Sequence, residues 1–108
     1  MSGSRGEEVR VWLERRAPES IGPLAQRLER AVRVHAAAAE SAPDLPHALA
    51  AIAVALLGEM RRGDPRSTEL GLDLLAADAL VTYAFEAAAD RAVPVVPLAE
   101  RIVSEVSR

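Results

Sequence analysis

Residues 70–90, LGLDLLAADALVTYAFEAAAD, carry a helical pattern with apolar side chains on every side. A helix without a polar arc has to be covered by other elements or by a partner. In a chain of 108 residues that demand decides which folds are open. Residues 44–62 repeat it, since their uncharged stretch from Ala48 to Gly58 is the longest in the chain. Two such helices need more cover than three short ones supply. The sequence therefore predicts a homodimer that shares a face of one or both.

Alanine supplies 22 residues, and Trp12, Tyr83 and Phe85 are the only aromatic ones. Alanine has the best helix propensity, and small side chains let helix axes approach closely. With no internal repeat, the reading is a single all-α domain over residues 7–108. Its architecture is expected to be a compact helical bundle of four main helices plus a short N-terminal helix. Residues 1–6 are expected to be a disordered tail. All 13 basic residues are arginine and cysteine is absent. That excludes disulfides and thiolate metal ligands and fits a cytoplasmic setting. Residues 1–10 lack the apolar core of a signal peptide. No apolar run approaches the ~20 residues of a membrane span, so no membrane contact is expected.

The net charge of −3 is unevenly spread. Residues 1–35 hold seven arginines against five glutamates, and residues 36–100 hold ten acids against four arginines. An Arg-bearing early helix is expected to pack near an acidic later one. An acidic chain without a concentrated basic face argues against nucleic acid as a partner.

Val9, Trp12 and Leu13 share a face of a first helix over 7–17, ended by Pro18. Ser20 and Pro23 open a second helix to about Ser41. Its dry side holds Leu24, Leu28, Ala31, Val32, His35, Ala38, Ala39 and Ala42. Asp44 is the expected N-cap of a third helix to Arg62, with Gly63 as its stop. Leu45, Leu49, Ile52, Leu56 and Met60 form the stripe of that helix, and small apolar residues form its back. Asp64-Pro65, or Ser67 and Thr68, begin the fourth. Its main stripe is read as Leu70, Leu74, Ala77, Val81, Ala84, Phe85 and Ala88. Prolines 94 and 97 hold residues 93–97 extended, and a last helix runs over 98–106 with Leu98, Ile102 and Val106 inward.

Asp78 falls at the edge of the fourth helix's stripe. An unpaired carboxylate there is costly, so Thr82, one turn on, and above all an arginine of the second helix are its expected partners. His35, mid-stripe, reads as a satisfied core histidine. Glu59, flanking the third stripe, is placed to meet His35 or an arginine. No Glu-x-x-His pair suggests a metal, and Glu86 and Asp90 read as solvated. No Ser–His–Asp set can be nominated, and His35 and His47 are the only histidines. Neither catalysis nor a cofactor is expected.

Leu75-Ala76-Ala77-Asp78-Ala79-Leu80-Val81-Thr82-Tyr83-Ala84-Phe85-Glu86 resembles the L-A-G-D-A-L-x-T-x-A-F-E helix of trans-prenyl diphosphate synthases. Arg61-Arg62-Gly63-Asp64-Pro65 resembles the R-R-G-x-P element of the same family, in the same chain order. The resemblance implies an all-α fold and a diphosphate-side role for Arg61 and Arg62. Leu57-Gly58-Glu59-Met60 stand where that family carries the aspartates that bind magnesium, and no two aspartates are adjacent here. Magnesium-dependent prenyl transfer by this chain is therefore not expected.

The expected function is a non-catalytic, self-associating interaction module. The alternative is an accessory subunit of a prenyl diphosphate synthase, or a binder of an isoprenoid-like ligand. Arg61, Arg62, Asp78, His35 and Phe85 are the candidate ligand-binding residues. A cavity lined by Leu56, Met60, Leu74 and Phe85 would mark the ligand binder, and a filled core the module.

Overall fold

Asp44 starts the helix around which the others are arranged. Its extended backbone and its carboxylate, which accepts the His47 N–H at 2.9 Å, make it the N-cap. The helix that follows ends at Gly63. Both ends agree with the sequence reading. The computed structural model describes residues 4–16, 22–64, 66 and 69–107. The described residues form six helices: α1 (Arg5–Arg16), α2 (Pro23–Val34), α3 (Ala36–Glu40), α4 (Leu45–Arg62), α5 (Glu69–Asp90) and α6 (Val95–Val106). There is no strand among them. Pro18, Ser20, Pro65, Ser67 and Thr68, read above as helix boundaries, lie outside the described residues.

α4 touches each of the other five helices. Its stripe is the centre of the core, with Leu45, Leu49 and Ile52 fully buried and Leu56 at 1% exposure. α5 lies along α4, and α2 packs on α5 beside it. Trp12 of α1 meets Tyr83 of α5 edge to face, with ring centroids 5.8 Å apart. α6 covers part of the small-residue back of α4, so that back faces a neighbour within the chain.

The second helix of the sequence reading is two helices. His35 breaks it, with φ −106° and ψ 23°, and serves as the C-cap of α2 and the N-cap of α3. The apolar phase nonetheless continues through the break, because Ala31 and Ala39 are both fully buried.

Of the expected tail, residues 1–3 lie outside the described residues, and its last two belong to α1. Arg5 and Gly6 are helical, and Gly6 is buried against α3, where a Cβ would come within 3.4 Å of the Ala36 Cβ. The Gly6 N–H donates to Glu40 Oε1 at 2.8 Å, and the Arg5 N–H to Glu40 Oε2 at 3.3 Å. These are amides that a helix start leaves without partners. A carboxylate 34 residues downstream, invisible to local pattern reading, supplies them.

α6 begins at Val95, three residues earlier than the proline rule suggested. Pro94 is its N-cap and Pro97 falls in the first turn, where a missing N–H costs nothing. α5 ends in a Schellman closure, with Val93 N–H on Ala88 O at 2.9 Å and Ala92 N–H on Ala89 O at 3.5 Å. Ala92 occupies the left-handed position, φ 54°.

The largest correction concerns which side of α5 faces inward. The buried residues are Ala76, Ala77, Leu80, Ala84, Ala87 and Ala88, so Ala77, Ala84 and Ala88 of the expected stripe do face inward. Leu74 and Leu75 are each 56% exposed. The inward face is turned by roughly a quarter turn from the stripe read through Leu74 and Val81. Alanines face the neighbours because they allow the closest approach to α4.

Leu80→Ala is expected to cost about 3 kcal/mol through the cavity it leaves, and Leu74→Ala less than about 0.5 kcal/mol. Urea titrations followed by Trp12 fluorescence in dilute solution would separate the two faces. Ala92→Gly should raise stability by about 1 kcal/mol, since glycine carries no penalty in the left-handed region.

Candidate functional site

Two polar seams and one apolar face are the places where this chain could do chemistry or meet a partner. The first seam joins α2, α4 and the α2–α3 break. Arg30 Nη2 donates to Glu59 Oε2 at 2.8 Å, and His35 Nε2 lies 3.0 Å from Glu59 Oε1. Both partners suggested for Glu59 are therefore present together. The Arg30 hydrogen bond, with a second from His35, holds the Glu59 carboxyl below its ordinary value of 4.5 against the opposing effect of burial. Glu59 in turn raises the Arg30 guanidinium.

The second seam joins α2 to the start of α5. Arg27 Nη2 lies 2.9 Å from Glu69 Oε1, and Arg27 Nε 3.4 Å from Asp73 Oδ1. That Asp73 oxygen is buried and has no well-aligned hydrogen bond, so charge attraction to Arg27 is what compensates it. Arg16 pairs with Glu86 across α1 and α5. The expected pairing of early arginines with later acids is present in all three places.

Asp78 does not occupy the position the sequence reading gave it. It is exposed on the outer face of α5. Asp73 holds the role foreseen for it, an inward carboxylate paired with an arginine of α2. The same quarter turn that exposes Leu74 exchanges the two aspartates. With apolar residues on all sides, the wheel alone offered no polar arc to choose between them.

The other nominated residues stand apart. Arg61 is exposed at the end of α4, and its Nη2 donates to Val106 O at 3.2 Å. Arg62 is exposed, with its guanidinium folded back across Gly58. His35 is engaged with Glu59, and Phe85 is half-buried against the core. Asp78 lies nine residues into α5, about 14 Å along the helix from its start beside the end of α4. These five residues do not converge on one ligand.

Leu56, Met60, Leu74 and Phe85 do not surround a common cavity either, since Leu56 is in the core and Leu74 faces out. One open groove of about 600 Å³ runs between α1 and α2 over Leu13, Leu28 and Val32, with Glu7, Arg10, Glu29 and Arg33 at its rim. Another of about 300 Å³ lies between α3, α4 and α6. It holds a pair that spacing did not single out. His47 Nδ1 lies 2.7 Å from Asp44 Oδ1. Ser41, in the same groove, donates its hydroxyl to Ala38 O at 3.2 Å. Among the described residues no group of three or more His, Cys, Asp or Glu could hold a metal. Nor is any helix among them long and apolar enough to cross a membrane.

The outer face of α5 is the remaining feature. Gly71, Leu74, Leu75, Asp78, Thr82 and Ala89 are exposed along it, with Val81 and Phe85 at its margin. Asp78 is the exposed charge on that strip, and Glu86, paired with Arg16, lies at its edge beside the line of Leu75. Comparisons with protein-family models, curated proteins and solved structures give no match.

Asp73→Ala is expected to destabilise by about 1–2 kcal/mol, because Arg27 keeps its charge in a half-dry seam. Asp78→Ala should leave the urea midpoint where it is. The depressed Glu59 carboxyl gives a pH dependence of definite sign. Its pairing is complete above the ordinary value of 4.5 and is lost as the pH falls through the lower folded value. The melting temperatures of wild type and Glu59→Gln, apart at neutral pH, should therefore approach each other in acid.

Proposed function

We propose that this chain is a non-catalytic helical interaction module that self-associates through the outer face of α5. The observation behind this is the pair Leu74 and Leu75, each 56% exposed on the outer side of α5. Isolated exposed leucines are ordinary, but Leu74 and Leu75, with Val81 and Phe85 beyond Leu74, leave large apolar side chains on both flanks of this face. Covering it removes apolar area from water, the main driving force of association. A homodimer is the simplest arrangement, since most soluble oligomers are symmetric.

A second reading has one observation in its favour. Leu75, Asp78 and Thr82, all within the string that resembles prenyl diphosphate synthases, stand on this same outward face. A synthase subunit is the heterologous partner that would suit it, with the module as an accessory subunit. The ligand-binding form of that reading is weaker, because Leu74 does not face Leu56.

Sedimentation velocity over a micromolar concentration series tests the first reading. The wild type is expected to shift from monomer to dimer, and Leu75→Arg to stay monomeric with an unchanged melting temperature in dilute solution. A wild type that sediments as a monomer throughout would reject it.

A further inference from the structure

We infer that α1 is a lid: it leaves the bundle as a unit while α2–α6 stay folded, and Glu40 of α3 is the latch that holds it down. This does not depend on how the outer face of α5 is used. The starting point is an acid in an unfavourable place. Glu40 is the last residue of α3 and is exposed. A carboxylate there faces the negative pole of the helix dipole, and no basic residue in the last turn offsets it. Its use lies in α1. One oxygen accepts the Gly6 N–H at 2.8 Å and the other the Arg5 N–H at 3.3 Å. Arg5 Nη2 adds a bond to Pro43 O at 3.2 Å, just beyond α3. The bond from Gly6 is the main cause that holds the Glu40 carboxyl below its ordinary value of 4.5, so the latch is a charged group.

The rest of α1 is attached along a single line. Of its twelve residues Gly6 and Val9 are buried, against eight of eighteen on α4. Trp12 and Leu13 continue the line, packed against the core but only partly covered. Open space runs along both flanks. The groove of about 600 Å³ lies toward α2, and a second of about 360 Å³ lies on the side of Val11, Arg15 and Arg91. A helix wedged into the bundle would leave neither. The remaining ties are ion pairs, from Arg16 to Glu86 of α5 and from Glu8 to Arg91 just past its end. Both arginines are about half exposed, and pairs of that kind contribute little. The pairs of Arg10 with Glu7 and Glu14 lie within α1 and do not tie it to anything else. Once off, a twelve-residue helix is too short to persist in water, so undocking and loss of the helix are one event. Opening takes Trp12 off Tyr83 and Gly6 off Ala36, and joins the two grooves into one trough. The docked state stays dominant because Val9 and Trp12 bury apolar surface in it.

Native-state hydrogen exchange on the full chain, read at residues 9–16 and along α4, tests both parts. Residues 9–16 should exchange about a hundredfold or more faster than α4 and respond little to low urea, because lid opening exposes far less surface than global unfolding. Glu40→Ala should speed all of 9–16 by about tenfold, through the charge-assisted bonds it removes, and leave α4 unchanged. Alanine suits the end of α3 better than a carboxylate does, so α3 itself is not weakened by the change. Residues 9–16 exchanging in step with α4 would overturn the lid. In Glu40→Ala, faster exchange confined to the residues next to Gly6 would be fraying of one end, and it would overturn undocking as a unit. Unchanged exchange in that variant would overturn the latch.

Discussion

The contact between the alanine face of α5 and the central helix α4 determines where everything else in this protein lies. Ala76, Ala84, Ala87 and Ala88 are fully buried on α5, and Ala48 and Ala53 on α4. Each alanine removes little area from water, but together they let two long helices approach closely. Leu49, Ile52, Leu56 and Leu80 then fill the seam around them. Interiors are packed at crystal density, so a close helix pair with small residues at the contact leaves few ways to rotate either helix. The other elements are placed by this pair. α1, α2 and α3 cover one side, and α6 covers the back of α4.

An outward set of leucines follows from this orientation. A helix that is apolar all round and turns its small residues inward has to show its larger ones elsewhere. On α5 those are Leu74 and Leu75, with Val81 and Phe85 at the margin. The same rotation places Asp73 inside, next to Arg27, and Asp78 outside. Charge therefore marks the open end of the seam between α2 and α5, and apolar surface marks the outer side of α5. Structure and proposed function meet here, because the packing that stabilises the monomer is what leaves a face to share.

Much of α4 was legible in the sequence. Its stripe repeats without interruption, Asp44 and Gly63 mark its ends, and Glu59 sits where a partner from α2 can reach it. The pairing of early arginines with later acids was legible from the charge distribution alone. α5 was legible as a helix but not as an oriented one, because with apolar residues on all sides its hydrophobic pattern has no phase. Alanine against leucine was the signal that could have set the phase, since tight helix pairs prefer the smaller residue at the contact. Three other features depended on distant partners or local geometry. Glu40 reaches back to order Arg5 and Gly6, His35 breaks a helix whose apolar phase continues unchanged, and Pro97 is absorbed into the first turn of α6. The five nominated site residues were chosen one by one, and nothing in their spacing required them to converge.

The most direct test is a thiol-accessibility scan along α5 in this cysteine-free chain. Single cysteines at positions 74, 75, 76, 78, 80 and 84 would be treated with a maleimide at low and at high protein concentration. The account expects fast labelling at 74, 75 and 78 and slow labelling at 76, 80 and 84 in dilute solution, with 74 and 75 becoming protected as concentration rises. Fast labelling at 76, 80 or 84 would contradict the inward alanine face. Concentration-independent labelling at 74 and 75 would contradict the shared outer one.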